Sequence, residues 1–478
     1  MKKLVLIGFC FLVASSTYAQ EELGIANSNY AGVNGLHLNP SSIVDSWVKL
    51  DIHLIGTSAF VENNYVYLPK EEFSFFQDIG LNSTSVPDLQ VNNNSKLKYG
   101  TADVSVQGPS FMLAAKNNSF ALSTRVRSYT NINGISPELA RFLYEGFNYT
   151  PQHGINFLDQ KFRVNTMTWG EVGFTYGRIL FKNEKSLFTA AATAKRLIGI
   201  QALSMNVENV DYEVINETDL QINDITGQYG IGDIGFDSGK GWGGDIGVTY
   251  KRMKEDASDY VPHSQSHGCD HIDYKYKIGV SLIDMGAIRF TNAQYGDLDH
   301  STSYWSAYDS TALDGINSID SLILSRLSNV TTGTEFKSTL PMAISIQYDQ
   351  NLGKNFFVNI TAVHGLTGVK KIGLHRSSII GVTPRYEIKR FEVAMPVSLY
   401  EYQRPRVGLA FRFNSVVIGS DNIFPFIGSS NVYGADIYMS LKYSIFKSGA
   451  CSGKKGKKKK KDQKDFVAQD QAYPCPIE

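Results

Sequence analysis

Three histidines and a cysteine lie close together in one stretch and have side chains that bind transition metals. They are His263, His267, Cys269 and His271. Imidazole and thiolate groups together suit zinc or copper. Their spacing matches no standard metal motif, however, and the acidic residues on both sides indicate a solvated loop. A plain loop and a weak metal site both stay open, and we expect no cofactor.

The sequence lacks the short motifs that position a nucleophile or a hydrolytic metal. It contains neither a Gly-x-Ser-x-Gly elbow nor a His-Glu-x-x-His sequence. Residues on distant strands that meet only in the fold would escape this search. We therefore expect no enzymatic activity and assign no catalytic residue.

Two polar clusters are candidate ligand or gating sites. The first is the tetrad Gly419, Ser420, Asp421 and Asn422. Its glycine permits a bulge or a close backbone approach, and its carboxylate and amide would line a path. The alternative is a local bend with local hydrogen bonds. The second is the pair Asn39 and Pro40, which stands in a turn-forming cluster.

A basic tail after residue 446 is the sharpest charge feature, and its lysines are candidates for docking a partner. They are Lys454, Lys455, Lys457, Lys458, Lys459, Lys460 and Lys461. Residues 447–478 contain nine lysines and four acidic residues, a net charge of +5 in a formally neutral chain. Such dense like charge predicts a disordered segment. It would bind anionic lipid headgroups or an acidic protein, or stay solvated without a partner.

The first nineteen residues have the pattern of a secretory signal peptide. Lys2 and Lys3 form a basic region, residues 4–13 an apolar core, and Ala19 the end of a small-residue cleavage site. No apolar stretch long enough for a transmembrane helix follows. The signal argues against nucleic acid as a partner of the basic tail.

Apolar and polar residues alternate in strand after strand of the mature chain. In residues 433–446, for example, one face is apolar and the other polar. A strand with two such faces and this length suits a tilted membrane crossing. Tyrosine (26) and phenylalanine (27) are abundant, while the mean hydropathy of −0.18 is unremarkable. Barrels have this composition because half of each strand faces lipid and half faces the lumen.

Fourteen strands are predicted between residues 46 and 446, and the lengths of their connections alternate. The connections after the first, third, fifth and seventh strands are long, and those after the second, fourth and eighth are tight. Membrane barrels have short periplasmic turns, long outer loops and an even strand count. We therefore predict an all-β, antiparallel transmembrane barrel with a lumenal plug at residues 20–45 and a periplasmic tail. Residues 203–242 are predicted as an outer segment without strands, and residues 137–146 as a helix capped by Ser136.

The charged residues of these strands share the face that would point into the lumen. They are Lys49, Asp51, His53, Arg125, Arg127, Asp245, Lys251, Asp436 and Lys442. The sequence therefore predicts a polar lumen, which argues against an apolar conduit.

The chain resembles the FadL-type outer-membrane barrels, and it is similar to uncharacterised proteins of that type from bacteria with type IX secretion. The resemblance rests on Asn39-Pro40, on Ile283-Asp284-Met285-Gly286 and on the tetrad 419–422. It implies a barrel in a Gram-negative outer membrane, surrounded by lipid and lipopolysaccharide, with the N-terminal segment folded inside. It also implies a conduit for small hydrophobic molecules. The alternative is a non-transporting scaffold that docks secreted or periplasmic proteins through its loops and basic tail.

Overall fold

Burial alternates along the strands as the sequence pattern predicts. In β21 (Gly434–Ile445), Asp436, Tyr438, Ser440 and Lys442 are buried, whereas Met439, Leu441 and Tyr443 are exposed. Side chains on a strand point to opposite faces in turn, so the polar residues face inward and the apolar residues face outward. The expected inward direction is confirmed for most of the charged strand residues. Asp51, His53, Arg127, Asp245, Lys251, Asp436 and Lys442 are all buried.

The computed structural model describes residues 21–70, 89–264, 271–306, 317–366 and 372–446. The remaining strands of this part of the chain are β1 (Leu50–Asn63), β2 (Val66–Tyr67), β3 (Gln90–Val91), β4 (Lys98–Gln107), β5 (Ser110–Ala115), β6 (Asn118–Ile135), β7 (Asn156–Lys182), β8 (Ser186–Val214), β9 (Leu220–Gly232), β10 (Gly239–Met253), β11 (Tyr274–Trp305), β12 (Val330–Thr339), β13 (Ala343–Gly353), β14 (Phe356–Gly365), β15 (Ile379–Ile388), β16 (Phe391–Ala394), β17 (Val397–Tyr400), β18 (Arg404–Val407), β19 (Leu409–Phe413) and β20 (Val416–Ser420). The helices are α1 (Leu23–Ala26), α2 (Pro137–Glu145) and α3 (Asn317–Arg326).

The strands form a closed antiparallel barrel. β1 pairs with β21 on one side and with β4 and β5 on the other, so the sheet has no open edge at its ends. Five wall strands are each divided into two segments: β4 and β5, β9 and β10, β12 and β13, β16 and β17, β18 and β19. Counted as continuous wall strands, they number fourteen, as predicted.

Proline accounts for several of these interruptions. Pro109, Pro341 and Pro396 lie between the two segments of three divided strands. Because proline has no N–H group to donate, it breaks the ladder of backbone hydrogen bonds inside a sheet. We call the end of the barrel with short turns, where β1 starts and β21 ends, the turn end. The opposite end is the loop end.

The outer surface of the wall is an apolar belt with aromatic rings near the turn end. Exposed members of the belt include Phe174, Ile246, Val280, Ile346 and Leu441. Tyr250, Tyr276 and Tyr348 form a row across three neighbouring strands, with ring centroids 6.3 and 6.1 Å apart. No helix in the described part of the chain is long and apolar enough to cross a membrane.

The loop end extends beyond the belt as a folded region, and here the prediction of an outer segment without strands is wrong. β8 runs to Val214, and β9 lies between β8 and β11 where residues 203–242 were expected to lack strands. Both faces are partly covered there, so the alternation is weaker than in the belt. This region has its own apolar core, which includes Tyr212, Ile222 and Leu298. The predicted helix is confirmed as α2, and Leu139 N donates to the Ser136 cap over 3.1 Å.

The N-terminal segment fills the lumen, as predicted. We call residues 21–48 the plug. It contains α1 and two short 3₁₀ segments, Gly32–His37 and Pro40–Ile43. Nearly all of its residues are buried, and its apolar side chains pack with wall residues such as Met112, Leu187 and Phe357. β1 begins at Leu50, four residues after the predicted start of the barrel.

Candidate functional site

Asn39 attaches the middle of the plug to two wall strands. Its side-chain oxygen accepts hydrogen bonds from the backbone N–H of Ser41 (2.9 Å) and from the Ser41 hydroxyl (2.7 Å). Its amide nitrogen donates to Gln347 Oε1 over 3.0 Å and to Val248 O over 3.4 Å. Pro40 is the first residue of the 3₁₀ segment that this turn begins. The pair therefore lies inside the lumen and anchors the plug to the wall.

Two wall glycines make the space for this turn. A Cβ atom on Gly247 would lie 2.2 Å from Asn39 Oδ1 and 2.9 Å from Pro40 Cδ. A Cβ atom on Gly279 would lie 2.7 Å from Asn39 Nδ2 and 2.4 Å from Gln347 Oε1. Since real side chains do not approach so closely, these positions require glycine while the plug is in place.

The tetrad 419–422 contacts the start of the plug through Asp421. Asp421 Oδ2 accepts the backbone N–H of Leu23 at the start of α1 over 2.8 Å, and Asp421 Oδ1 accepts the Tyr438 hydroxyl over 3.1 Å. The Asp436 carboxylate accepts hydrogen bonds from the Ser420 hydroxyl and from the backbone N–H of Asp421 and Asn422, each at 2.7 Å. β20 ends at Ser420 for this reason: its next two N–H groups bond to a side chain instead of to a strand. A gating role for the tetrad stays a prediction.

Further buried polar contacts join the plug to the wall along its length. Lys251 Nζ donates to Asp45 Oδ2 over 2.8 Å and to the Asp45 carbonyl over 3.0 Å. Lys442 Nζ donates to the carbonyls of Tyr30 and Ala31, each over 2.7 Å. Asp51 Oδ2 accepts the backbone N–H of Val33 over 2.9 Å. The inward charges of the wall thus pair with backbone groups and charges of the plug, which is how buried polar groups are stabilised.

The long turn between β10 and β11 lies against the turn end of the plug. Its His263 Nε2 is 2.9 Å from Ser46 O, and the His271 ring stacks on Trp47 with centroids 3.8 Å apart. Burial lowers the pKa of His263, and the neighbouring His271 imidazole lowers the pKa of Asp273. His267 and Cys269 lie outside the described residues, and within the described ranges no group of three or more metal-ligating side chains occurs. The metal assignment therefore stays an untested prediction.

A layer of buried charges crosses the lumen above the plug. At its centre, Asp284 Oδ2 accepts from Arg127 over 2.7 Å and from Arg376 over 2.9 Å, while Oδ1 accepts from Lys195 over 2.9 Å. Arg376 also donates to both carboxylate oxygens of Glu21 over 2.9 and 2.8 Å. This bidentate pair connects the first described residue of the plug to the layer.

A second ionic contact lies near the loop end. Glu62 of β1 accepts hydrogen bonds from Arg404 and from Arg406, the latter over 2.7 Å. The Arg406 guanidinium lies 3.9 Å from the centroid of the Tyr400 ring, and the Arg404 guanidinium lies 4.5 Å from that of Tyr433. Cations are attracted to aromatic faces when desolvated. These groups join β1 to β18, and we call them the Glu62 bridge.

Two cavities beside the plug are small and have both polar and apolar lining atoms. One of about 60 Å³ is lined by residues such as Asn27, Lys277 and Asn359, and another of about 20 Å³ by Glu22, Arg125 and others. An apolar cavity that holds benzene measures about 150 Å³ in a well-studied case, whereas a single water needs about 10–15 Å³. These spaces suit water molecules and do not fit an apolar cargo.

Comparison with known proteins identifies the family to which the chain belongs. A family model described as "Family of unknown function (DUF5723)" matches residues 40–421. The chain belongs to this family. No curated protein sequence matches it.

Solved structures that match the chain at low sequence identity include two toluene transporters and a FadL homologue. The Pseudomonas putida toluene transporter TodX is 11% identical, with a TM-score of 0.41 and coverage of 90% of this chain and 98% of that chain. The Ralstonia pickettii toluene transporter TbuX is 8% identical, with a TM-score of 0.40 and the same coverage. A Pseudomonas aeruginosa FadL homologue is 8% identical, with a TM-score of 0.23, and covers 90% and 99%.

In this DUF5723 protein, sequence reasoning found the anchoring pair and tetrad but missed the charged layer. Glu21 lies in the predicted plug, but Arg376 lies in a segment without strand alternation, so no pattern indicated that the two side chains would pair. Asp284 appeared in a recognised tetrad, but its partners come from three distant parts of the chain. The lysines of the basic tail lie outside the described residues, and their docking role stays a prediction.

Proposed function

We propose that this DUF5723 protein is a bacterial outer-membrane barrel that its own plug keeps closed, and that it works as a surface scaffold. The filled lumen carries this conclusion. Along the lumen, the plug contacts, the charged layer around Asp284 and the Glu62 bridge follow one another. Two nearby cavities of about 60 and 20 Å³ have the size for water molecules and are too small for an apolar cargo.

The placement in a membrane rests on the outer surface. A soluble protein rarely exposes a continuous apolar patch of more than a few hundred Å². This wall exposes apolar side chains around its belt and has an aromatic row at one edge. Closed antiparallel barrels with such a belt and aromatic girdles span bacterial outer membranes.

The scaffold role is supported by the folded extension at the loop end. Its strands continue past the belt and enclose an apolar core around Tyr212, Tyr229 and Leu298. α3 is attached to this core through Asp320, whose Oδ1 accepts the Tyr229 hydroxyl over 2.7 Å. A rigid body that stands above the membrane presents a defined surface to other proteins. The basic tail would add a second docking element at the turn end.

Planar-bilayer conductance of the intact protein tests the closed lumen. We expect no steady conductance from the wild type and open channels from a variant that lacks residues 22–45. Steady conductance from the wild type, at a level near that of the deletion variant, would overturn the proposal. Removal of residues 447–478 should release co-purifying protein if the tail docks a partner, without any change in conductance.

One observation favours the second function, a conduit for small hydrophobic molecules. β20 has only five residues, and beyond Ser420 the chain leaves the sheet until β21 begins at Gly434. A wall opening would form at this place, beside Asp421 and Asn422. Native mass spectrometry of gently extracted protein distinguishes the two functions. A stoichiometric apolar adduct supports the conduit, and its absence together with a bound protein supports the scaffold.

A further inference from the structure

Three cations stand side by side on the outer surface of the wall. Lys240 of β10 is the direct cross-strand partner of Arg289 of β11, and Arg289 is the direct partner of Lys337 of β12. All three side chains are exposed, whereas their neighbours Phe290 and Phe336 are buried inside the barrel. The cations therefore form a short outward row that crosses three strands.

The carboxylates next to these cations neutralise their positive charge only weakly. Asp237 lies 3.2 Å from Lys240, and Glu335 lies 3.8 Å from Arg289, but all four side chains are more than half exposed. Such exposed pairs contribute little. No ion pair is recorded for Lys337 within the described ranges. Like charges directly opposite each other destabilise a sheet, so the row gains stability from an external anion.

Large apolar side chains border the row. Ile234 and Phe236 are 71% and 78% exposed in the segment between β9 and β10, which also carries the exposed Asp233. Trp242, which is 66% exposed, follows Lys240 on the same face, and the Arg196 guanidinium lies 5.2 Å from the centroid of its indole ring. Cations beside exposed aromatic and aliphatic groups match a ligand that is part phosphate and part hydrocarbon.

The position of the row along the barrel axis agrees with a ligand that is part phosphate and part hydrocarbon. Lys240 and Tyr250 lie ten positions apart on β10, and Tyr250 belongs to the aromatic row near the turn end. At a rise of about 3.4 Å per residue and a tilt of about 45°, ten residues span about 24 Å of the barrel axis. An apolar band is about 25 Å tall. The cations therefore lie at the opposite edge of the band, at the level of the outer headgroups.

We propose that Lys240, Arg289 and Lys337 bind the phosphate groups of a phosphorylated, acylated lipid of the outer leaflet. Trp242, which lies on the band side of the row, contacts its acyl chains. The site rests on the proposed placement in the outer membrane, and it does not depend on whether the lumen conducts. It gives the barrel a fixed lipid neighbour on one side of its wall.

Native mass spectrometry of the full chain in mild detergent, titrated with bisphosphorylated lipid A, tests the site. The variant Lys240→Gln/Arg289→Gln/Lys337→Gln removes three cations and should bind this lipid on the order of a hundredfold more weakly. The control Lys116→Gln/Lys185→Gln/Lys354→Gln removes three exposed cations from turns at the turn end and should bind like the wild type. Dephosphorylated lipid A should bind weakly to all three proteins, and inorganic phosphate should not compete at millimolar concentration.

Each other outcome overturns the site. Equal binding by the outer-row variant and the control, equal binding of dephosphorylated lipid A, or displacement by inorganic phosphate would each contradict a lipid headgroup at these residues. Membrane fractionation and conductance separate this result from the proposed function. A protein that fractionates with the outer membrane and stays closed, yet fails the lipid titration, loses only the lipid site.

Discussion

The buried pair between Lys251 and Asp45 offers a sharp test of how the plug is held. Both side chains are at most 9% exposed, and the ammonium group contacts the carboxylate at 2.8 Å and the Asp45 carbonyl at 3.0 Å. Removal of one partner from a buried pair costs about 3–5 kcal/mol because the other charge is left uncompensated. Lys251→Met keeps the apolar stem and removes only the charge.

We expect this variant to raise the fraction of molecules with an unseated plug about 150-fold, since each 1.4 kcal/mol is a factor of ten and the cost is about 3 kcal/mol. Hydrogen exchange of the plug amides measures this fraction, because local opening sets the exchange rate. Exchange in the belt strands should stay unchanged. Asp45→Asn should have an effect of similar size, and asparagine tolerates the positive φ of 56° at this position.

The double variant decides whether the charge pair is responsible. Lys251→Met/Asp45→Asn leaves no uncompensated charge, so its plug should exchange much more slowly than in either single variant. If the double variant lowered the free energy of plug opening by the sum of the two single effects, the reasoning would be refuted. So would a wild-type exchange pattern in Lys251→Met. The Tyr260 hydroxyl, which donates to Asp45 Oδ1 over 2.7 Å, is present in all of these proteins and does not bias the comparison.

Three further predictions concern the plug and the loop-end extension. Burial raises the pKa of Glu22 to about 7. Because the folded pKa lies above the unfolded value, seating of the plug is strongest below about pH 4.5 and weakens by about 3 kcal/mol as the pH rises through 7. Glu22→Gln should abolish this change in hydrogen exchange, and an unchanged pH profile would contradict it. Gly247→Ala should weaken seating of the plug by about 1–3 kcal/mol in the same assay, because its Cβ would overlap Asn39. The control Gly170→Ala should not weaken seating, because its Cβ would meet nothing within 4 Å. Equal effects of the two variants would contradict a close fit between Gly247 and the plug. Ser136→Ala should destabilise α2 by about 1 kcal/mol, measured by exchange of its first-turn amides, with the plug unaffected.

The wall was predictable because strand alternation is local. The faces of β21 and the inward direction of Lys251 and Lys442 follow from period-two spacing and the cost of charge in lipid. The loop-end extension was not predictable in this way. β9 lies outside the apolar belt, where neither face meets lipid, so the pattern that marks a belt strand is absent.

The roles of the candidate residues depended on contacts that no local pattern shows. Asp421 was recognised as unusual, but its partner Leu23 is 398 positions away. The close approach of Asn39 to Gly247 is visible only in the folded barrel. Sequence therefore singled out Asn39 and Asp421, and the closed barrel showed that both take part in contacts between plug and wall.

The order of the buried contacts also limits how any molecule could cross this barrel. A path along the axis must unseat the plug, which breaks the Glu21–Arg376 pair and the Asp45–Lys251 pair. A path through the wall beside β20 leaves both pairs in place, because there the sheet is already interrupted after Ser420. The wall path is therefore the less costly of the two. It follows that a variant with a loosened plug, such as Lys251→Met, should gain ion conductance without gaining uptake of hydrophobic molecules. Parallel gains in both would instead place the hydrophobic path on the barrel axis.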